Sequence, residues 1–248
     1  MACLNCGTEF SSTDNYCSTC GQDTATKRLE TKHVLHHFFH AFTHTDRGFF
    51  HLIPQLLTKP GIVSREYNQG KRKSYFSPFT FVLIIVAIST VLVSTFNIMS
   101  VPYRPDQAPA VTMVTNFTNK HFNLMVFFSV PLIAFFTSRF FKKKINFAES
   151  LVVVSYTSGE RSIFFILVVI PLVLLFKEHY YLVIYSYLAL FMSYYAWTCC
   201  QYFDEYRIGI FLKGCLCFIL SQLAVSFIIA ATIFVIIFSA KLFDKIPV

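Results

Sequence analysis

The sequence predicts an α-helical integral membrane protein, with about five transmembrane helices behind a small cysteine-rich head and an amphipathic interfacial helix. Three observations predict it. First, the 248 residues are 55% hydrophobic and only 14% charged, against about 25% charged in average soluble domains. Second, 30 phenylalanines and 13 tyrosines give more apolar surface than a soluble globule of this length can hide. Third, apolar runs dominate from Phe79 onward, whereas residues 1–77 hold nine of the 21 Lys and Arg and six of the eight histidines. This pattern excludes a secreted enzyme, a disordered regulator and an ordinary cytosolic two-domain protein. Three regions are expected: a head over 1–26, an amphipathic and basic segment over 27–77, and a transmembrane bundle over 78–248. No internal repeat is expected. The start Met1-Ala-Cys-Leu-Asn-Cys6 lacks the basic and apolar regions of a signal peptide, so the head is expected to stay on the side where it is made.

The head carries the strongest motif. Cys3-x2-Cys6-Gly7 and Cys17-x2-Cys20-Gly21 are two knuckles, each able to turn two sulfurs toward one ion. Tetrahedral zinc takes four thiolates in this way. About twenty residues cannot build a core, so bound metal is expected to supply the folding free energy. One structural zinc per chain on Cys3, Cys6, Cys17 and Cys20 is the preferred reading, and a disulfide pair or an iron centre is the alternative. Phe10 and Tyr16 are expected to cover the site. Metal-bound thiolates imply a reducing compartment, hence a cytoplasmic head. Cys199, Cys200, Cys215 and Cys217 lie in or beside apolar runs and read as buried small hydrophobes.

A helix over about 30–43 follows. At roughly 100° per residue, His33, His36, His37, His40 and His44 share one side and Val34, Leu35, Phe38, Phe39 and Phe42 the other. An interfacial helix on the cytoplasmic leaflet is the preferred reading. The alternative is a second metal site on His33, His37, His40 and His44, since both pairs are spaced i,i+4. Pro60 opens and Gly70 closes a further short helix. Lys71, Arg72 and Lys73 then form a juxtamembrane cluster expected to contact anionic head groups. Nucleic acid is not an expected partner, because a basic collar beside a membrane is ordinary.

These segments carry a resemblance. The knuckles, the second reading Tyr16-Cys-Ser-Thr-Cys-Gly-Gln22, precede Pro60 and Arg65-Glu-Tyr-x2-Gly-Lys-Arg-Lys-x-Tyr-x2-Pro78. Over roughly 1–80 the chain resembles a bacterial family of zinc-ribbon, multispan inner-membrane proteins of unknown function. The resemblance implies an inner-membrane protein with a cytoplasmic ribbon, and it brings no catalytic residues with it.

Spans are expected at about 79–99, 122–141, 149–176 or 161–177, 180–203 and 212–238. The third is ambiguous because Ser158-Gly159-Glu160-Arg161 interrupts it. Either one tilted helix carries the charges at membrane depth, or a helix boundary lies there at head-group level, which is the preferred reading. Ionisable residues inside a membrane are functional candidates, so Glu149, Glu160 and Arg161 are noted. With the head inside, the cytoplasmic segments 1–78, 139–146 and 204–213 hold nine, four and two Lys/Arg, against five outside. That satisfies the positive-inside rule and, with five spans, puts the C-terminus on the opposite side.

The functional expectation is a non-enzymatic scaffold or regulator in which the ribbon recruits a protein partner and the bundle anchors it or binds lipid. The alternative is a small-solute or ion transporter or channel using the intramembrane Glu and Arg. A membrane enzyme with a histidine-ligated metal ranks third.

Overall fold

The computed structural model describes residues 1–11, 13–26, 29, 48–96 and 122–243. The histidine-rich segment, and with it the interfacial-helix and second-metal readings, lies outside them. Among the described residues, eight α-helices follow the head: α1 Phe49–Thr58, α2 Pro60–Asn68, α3 Pro78–Phe96, α4 Phe122–Phe140, α5 Phe147–Phe164, α6 Ile170–Leu175, α7 Tyr180–Phe203 and α8 Ile208–Phe243. The described residues contain no strand, only two isolated antiparallel bridges in the head.

Among the described residues, four stretches are long and apolar enough to cross a membrane: Pro78–Thr95, Phe147–Leu175, Tyr180–Phe203 and Ile208–Thr232. The remaining expected span coincides with α4, whose apolar part Met125–Phe140 is shorter. Large apolar side chains stay exposed along the outer helices, among them Val91, Phe128, Leu182, Leu223 and Phe227. Outward-facing surface of that size is what a lipid-facing bundle presents.

The 29-residue stretch Phe147–Leu175 is where the sequence expectation needs correction. It does not break at Ser158–Arg161: α5 runs through these residues, a π-helical segment Phe165–Val169 follows, and α6 completes the stretch. Pro171 stands two residues after the π segment. A proline lacks an N–H and crowds the preceding turn, so a locally widened helix accommodates it. The polar run is tolerated because α5 is the inner helix of the bundle. It packs on α1, α2, α3, α4 and α7, and all but three of its eighteen residues are buried. Two of its hydroxyls bond back to its own carbonyls, Thr157 to Val153 at 3.0 Å and Ser162 to Ser158 at 3.1 Å, so these two polar groups need no water. Gly159 lets α3 approach: a Cβ there would lie 2.4 Å from the Phe81 ring.

Helices α1 and α2 form a short hairpin held against α5 and α7. A helix C-terminus leaves carbonyls without intrahelical donors. Here Tyr194 donates to the Leu56 carbonyl at 2.8 Å and Gln201 Nε2 to the Thr58 carbonyl at 3.1 Å. Gln201 Oε1 in turn accepts from Gly61 N–H at 3.1 Å. Asn68 Nδ2 closes the far end, donating to the Glu149 carbonyl at 3.2 Å and to Tyr202 Oη at 2.9 Å. Gly61 makes this fit possible, since a Cβ would lie 2.4 Å from the Thr198 carbonyl oxygen and 2.5 Å from Tyr202 N. Both are backbone atoms that cannot rotate away. We therefore expect Gly61→Ala to destabilise the protein by about 2–3 kcal/mol, read as a lowered thermal midpoint of purified protein in detergent. An unchanged midpoint would refute the tight α2–α7 seat.

The hairpin, the connectors after α4 and α7, and the head gather at one end of the bundle. Arg65 pairs with Asp204 at 3.5 Å, and Lys144 pairs with Glu205. Asn146 Nδ2 donates to the Leu29 carbonyl at 3.2 Å. The described parts of the three segments counted as basic in the sequence therefore share one end.

Candidate functional site

The head is built from two knuckles that repeat one another. In the first, Cys3 N–H donates to the Thr8 carbonyl and Gly7 N–H to the Cys3 carbonyl, both at 2.9 Å. In the second, Cys17 N–H and Gly21 N–H repeat this with Gln22 and Cys17 at 2.8 Å. The bridges Ala2–Glu9 and Tyr16–Asp23 are offset by the same 14 residues. The expectation of no internal repeat thus fails at this scale, because little beyond the cysteines and the following glycines is shared. Those glycines take φ of +77° and +68°, a region that favours glycine.

The repeat brings four sulfurs together. All lie within 4.8 Å of one another, with Cys3–Cys20 at 3.6 Å and Cys6–Cys17 at 3.5 Å. Tetrahedral thiolates about 2.3 Å from one ion stand about 3.8 Å apart, whereas a disulfide needs about 2.0 Å. The donor set and its spacing fit a metal ion, and the cysteines are free thiols. Among the described residues, this is the one group of three or more His, Cys, Asp or Glu arranged to hold a metal. Thr8, through its hydroxyl first and then its backbone, pulls Cys6 down to about 6, while burial pushes Cys20 up to about 11. Metal binding expels whatever protons remain on such a set. Cys3 and Cys17 are buried, but Tyr16 is 67% exposed. The expected aromatic cover is therefore not supplied by Tyr16, whose bridge to Asp23 turns it outward.

The head is seated on the basic collar. Asn5 Oδ1, between the first two cysteines, accepts from Ser74 N–H at 3.1 Å and from its hydroxyl at 2.8 Å. Gln22 Oε1, just after the second knuckle, accepts from Lys73 N–H at 3.2 Å. Leu4 packs on Gly70, whose φ is +111°. Within the collar, Lys71 pairs with Glu66 at 2.9 Å and Tyr75 donates to the same carboxylate at 2.5 Å. These bonds, the tyrosine's first, hold Glu66 below the usual carboxylate range. Arg72 is half-buried, which lowers its pKa, and the Asp23 carboxylate partly offsets this, while Lys73 stays exposed.

The three acidic and basic candidates of the bundle separate. Glu149 belongs to a capping box: Asn146 Oδ1 accepts from Glu149 N–H at 2.8 Å and Glu149 Oε2 from Asn146 N–H at 3.0 Å. Arg161 is 3% exposed, with its guanidinium carbon 5.9, 5.7 and 5.8 Å from the ring centres of Tyr187, Phe191 and Phe218. It donates through Nε to Tyr187 Oη at 3.3 Å, and the tyrosine hydroxyl donates to the Arg161 carbonyl at 3.2 Å. Glu160 is 2% exposed, and neither carboxylate oxygen has a hydrogen-bond partner among the described residues. Adjacent residues on a helix point about 100° apart, so Arg161 does not answer Glu160. Sequence reasoning singled out both residues but missed the aromatic cage, whose rings come from helices 26 or more positions away.

Residues 46–90 match a family model described as "Protein of unknown function (DUF3667)". The matched stretch covers α1, α2, the collar and most of α3, leaving out the cysteines and α5. It includes the Arg65–Pro78 motif on which the resemblance was drawn, and it carries no assigned activity. No curated protein and no solved structure matches the chain.

Proposed function

We propose that this is a membrane-anchored zinc-ribbon protein, acting as a scaffold or regulator that recruits protein partners at the cytoplasmic face of the inner membrane. One observation carries the reading: a four-thiolate cluster is seated through Asn5 and Gln22 on the segment that leads into the first span. A four-sulfur site leaves no open coordination position, so its metal is structural, and zinc suits that donor set. Cys3, Cys6, Cys17 and Cys20 would hold the ion, and the ion would supply folding energy that so small a head cannot find in a core. The gathering of the basic segments at one end supports a cytoplasmic placement of that end, with the collar near anionic head groups. Pull-down from membranes with wild type and with Cys17→Ser/Cys20→Ser tests this. Partners lost with the variant, while it still inserts in the membrane, are the expected result. Recovery of the same partners from both rejects the reading.

A specific observation favours a second reading, a solute or ion pathway through the bundle. Glu160 is a buried carboxyl with no partner among the described residues, on the inner helix and near a π segment. Ionisable groups in that setting mark transport routes. Aqueous cysteine labelling at 158–161 that is protected by a substrate would support it. Labelling from one side with no protection would count against it.

A further inference from the structure

We infer that the ribbon is a metal-dependent latch on the basic collar: filled with metal, it clasps the Lys73–Ser74 backbone, and emptied, it lets go. The inference rests on the reading of the four cysteines as a metal centre. The two side chains that make the clasp stand in the two metal knuckles, Asn5 between Cys3 and Cys6 and Gln22 two residues after Cys20. Each supplies an amide oxygen to the collar backbone. Their positions relative to one another are therefore set by the fold that the four sulfurs close. A metal-free head has too few residues to keep that fold, so both acceptors lose their registration together.

The seat also has an apolar component and a charged one. Leu4, again between the first two cysteines, packs on Gly70, where a Cβ would stand 2.8 Å from Leu4 Cδ1. Asp23, one residue beyond Gln22, acts on half-buried Arg72. Gln22 is itself only 4% exposed, and its Nε2 donates to Thr26 at 2.6 Å, which aims the oxygen at Lys73. The clasping hydrogen bonds and the Leu4 contact thus come from within or just beside a knuckle, and Thr26, which Gln22 holds, adds its methyl group against Gly70. The consequence is electrostatic. Release of the head frees the Lys73–Ser74 backbone and takes Asp23 away from Arg72, leaving the Lys71-Arg72-Lys73 run free to rearrange toward the membrane surface, a charge cluster of the kind that anionic head groups attract.

The same three residues make the test direct, because trypsin cleaves after lysine and arginine. Full-length protein is placed in nanodiscs of zwitterionic lipid, so that the lipid itself does not protect the collar, and cleavage after residues 71–73 is timed by mass spectrometry. Chelation of the metal is expected to speed cleavage by about tenfold or more, as for a segment freed from a local closing contact. Asn5→Ala/Gln22→Ala is expected to cleave as fast as the chelated wild type while still carrying its metal, measured by elemental analysis. Asn5→Asp keeps the acceptor oxygen and is expected to restore slow cleavage. Equal rates with and without metal overturn the latch, as does a metal-loaded Asn5→Ala/Gln22→Ala that cleaves at the wild-type rate. Neither outcome touches partner recruitment, which the pull-down reads separately.

Discussion

Replacing Cys17 and Cys20 together by serine is expected to abolish metal binding and unfold the head, leaving the helical bundle standing. The size of the effect follows from where the head's stability comes from. Its described residues contain two isolated bridges and no helix. Its buried apolar side chains near the ligands are little more than the cysteines themselves. Structural zinc in small peptides supplies roughly 10–16 kcal/mol of apparent binding free energy, which is folding free energy when no site exists beforehand. Two serines remove half of the donor set, and the remaining pair cannot close a tetrahedron. Elemental analysis should fall from one metal ion per chain to none. Far-UV circular dichroism should keep its helical signal, since the eight described helices all lie beyond residue 48. A variant that still holds one equivalent of metal would show that the ion sits elsewhere. A bundle that collapses with the head would show that the collar contacts carry more of the fold than their few hydrogen bonds suggest.

The contrast between head and bundle also explains what was legible in the sequence. The four ligands were readable because Cys-x2-Cys is a local device: the turn that aims both sulfurs is completed within six residues. The start of α2 was readable for the same reason, with Pro60 in its first turn. The seat of the α1–α2 hairpin was not. Its bonds join Gly61 to Gln201 and Asn68 to Tyr202 across more than 130 residues, and nothing in either segment names the other. The same blindness produced the misread break at Ser158–Arg161. A polar run in an apolar stretch looks like a head-group boundary if the helix is imagined alone in lipid. Surrounded by five helices, it is interior, and its hydroxyls and glycine are what close packing requires. Periodicity reports exposure to a neighbour of one kind and does not distinguish lipid from protein.

Glu160 and Arg161, adjacent and both buried, are expected to respond to removal with opposite signs. Arg161→Met takes away a cation that touches three aromatic rings and exchanges hydrogen bonds with Tyr187. A desolvated cation–π contact is worth about 2 kcal/mol or more, so the thermal midpoint in detergent should fall. Glu160→Met takes away a carboxyl that receives no hydrogen bond from the described residues. Replacing a partnerless buried polar group by an apolar one of similar volume is neutral or stabilising, here by about 1–3 kcal/mol, so the midpoint should hold or rise. A large drop for Glu160→Met would mean that the carboxyl finds a partner in the folded protein, and the case for an open site would end there. If the two variants do part company, Arg161 has a packing role, tying α5 to α7 and α8 through the surrounding rings and the Tyr187 hydroxyl, even though its Nη1 has no hydrogen-bond partner among the described residues. No such account exists for Glu160. A carboxyl that weakens the helix packing around it requires an explanation in what it binds, and that would move the weight of the functional question from the ribbon toward the inner helix.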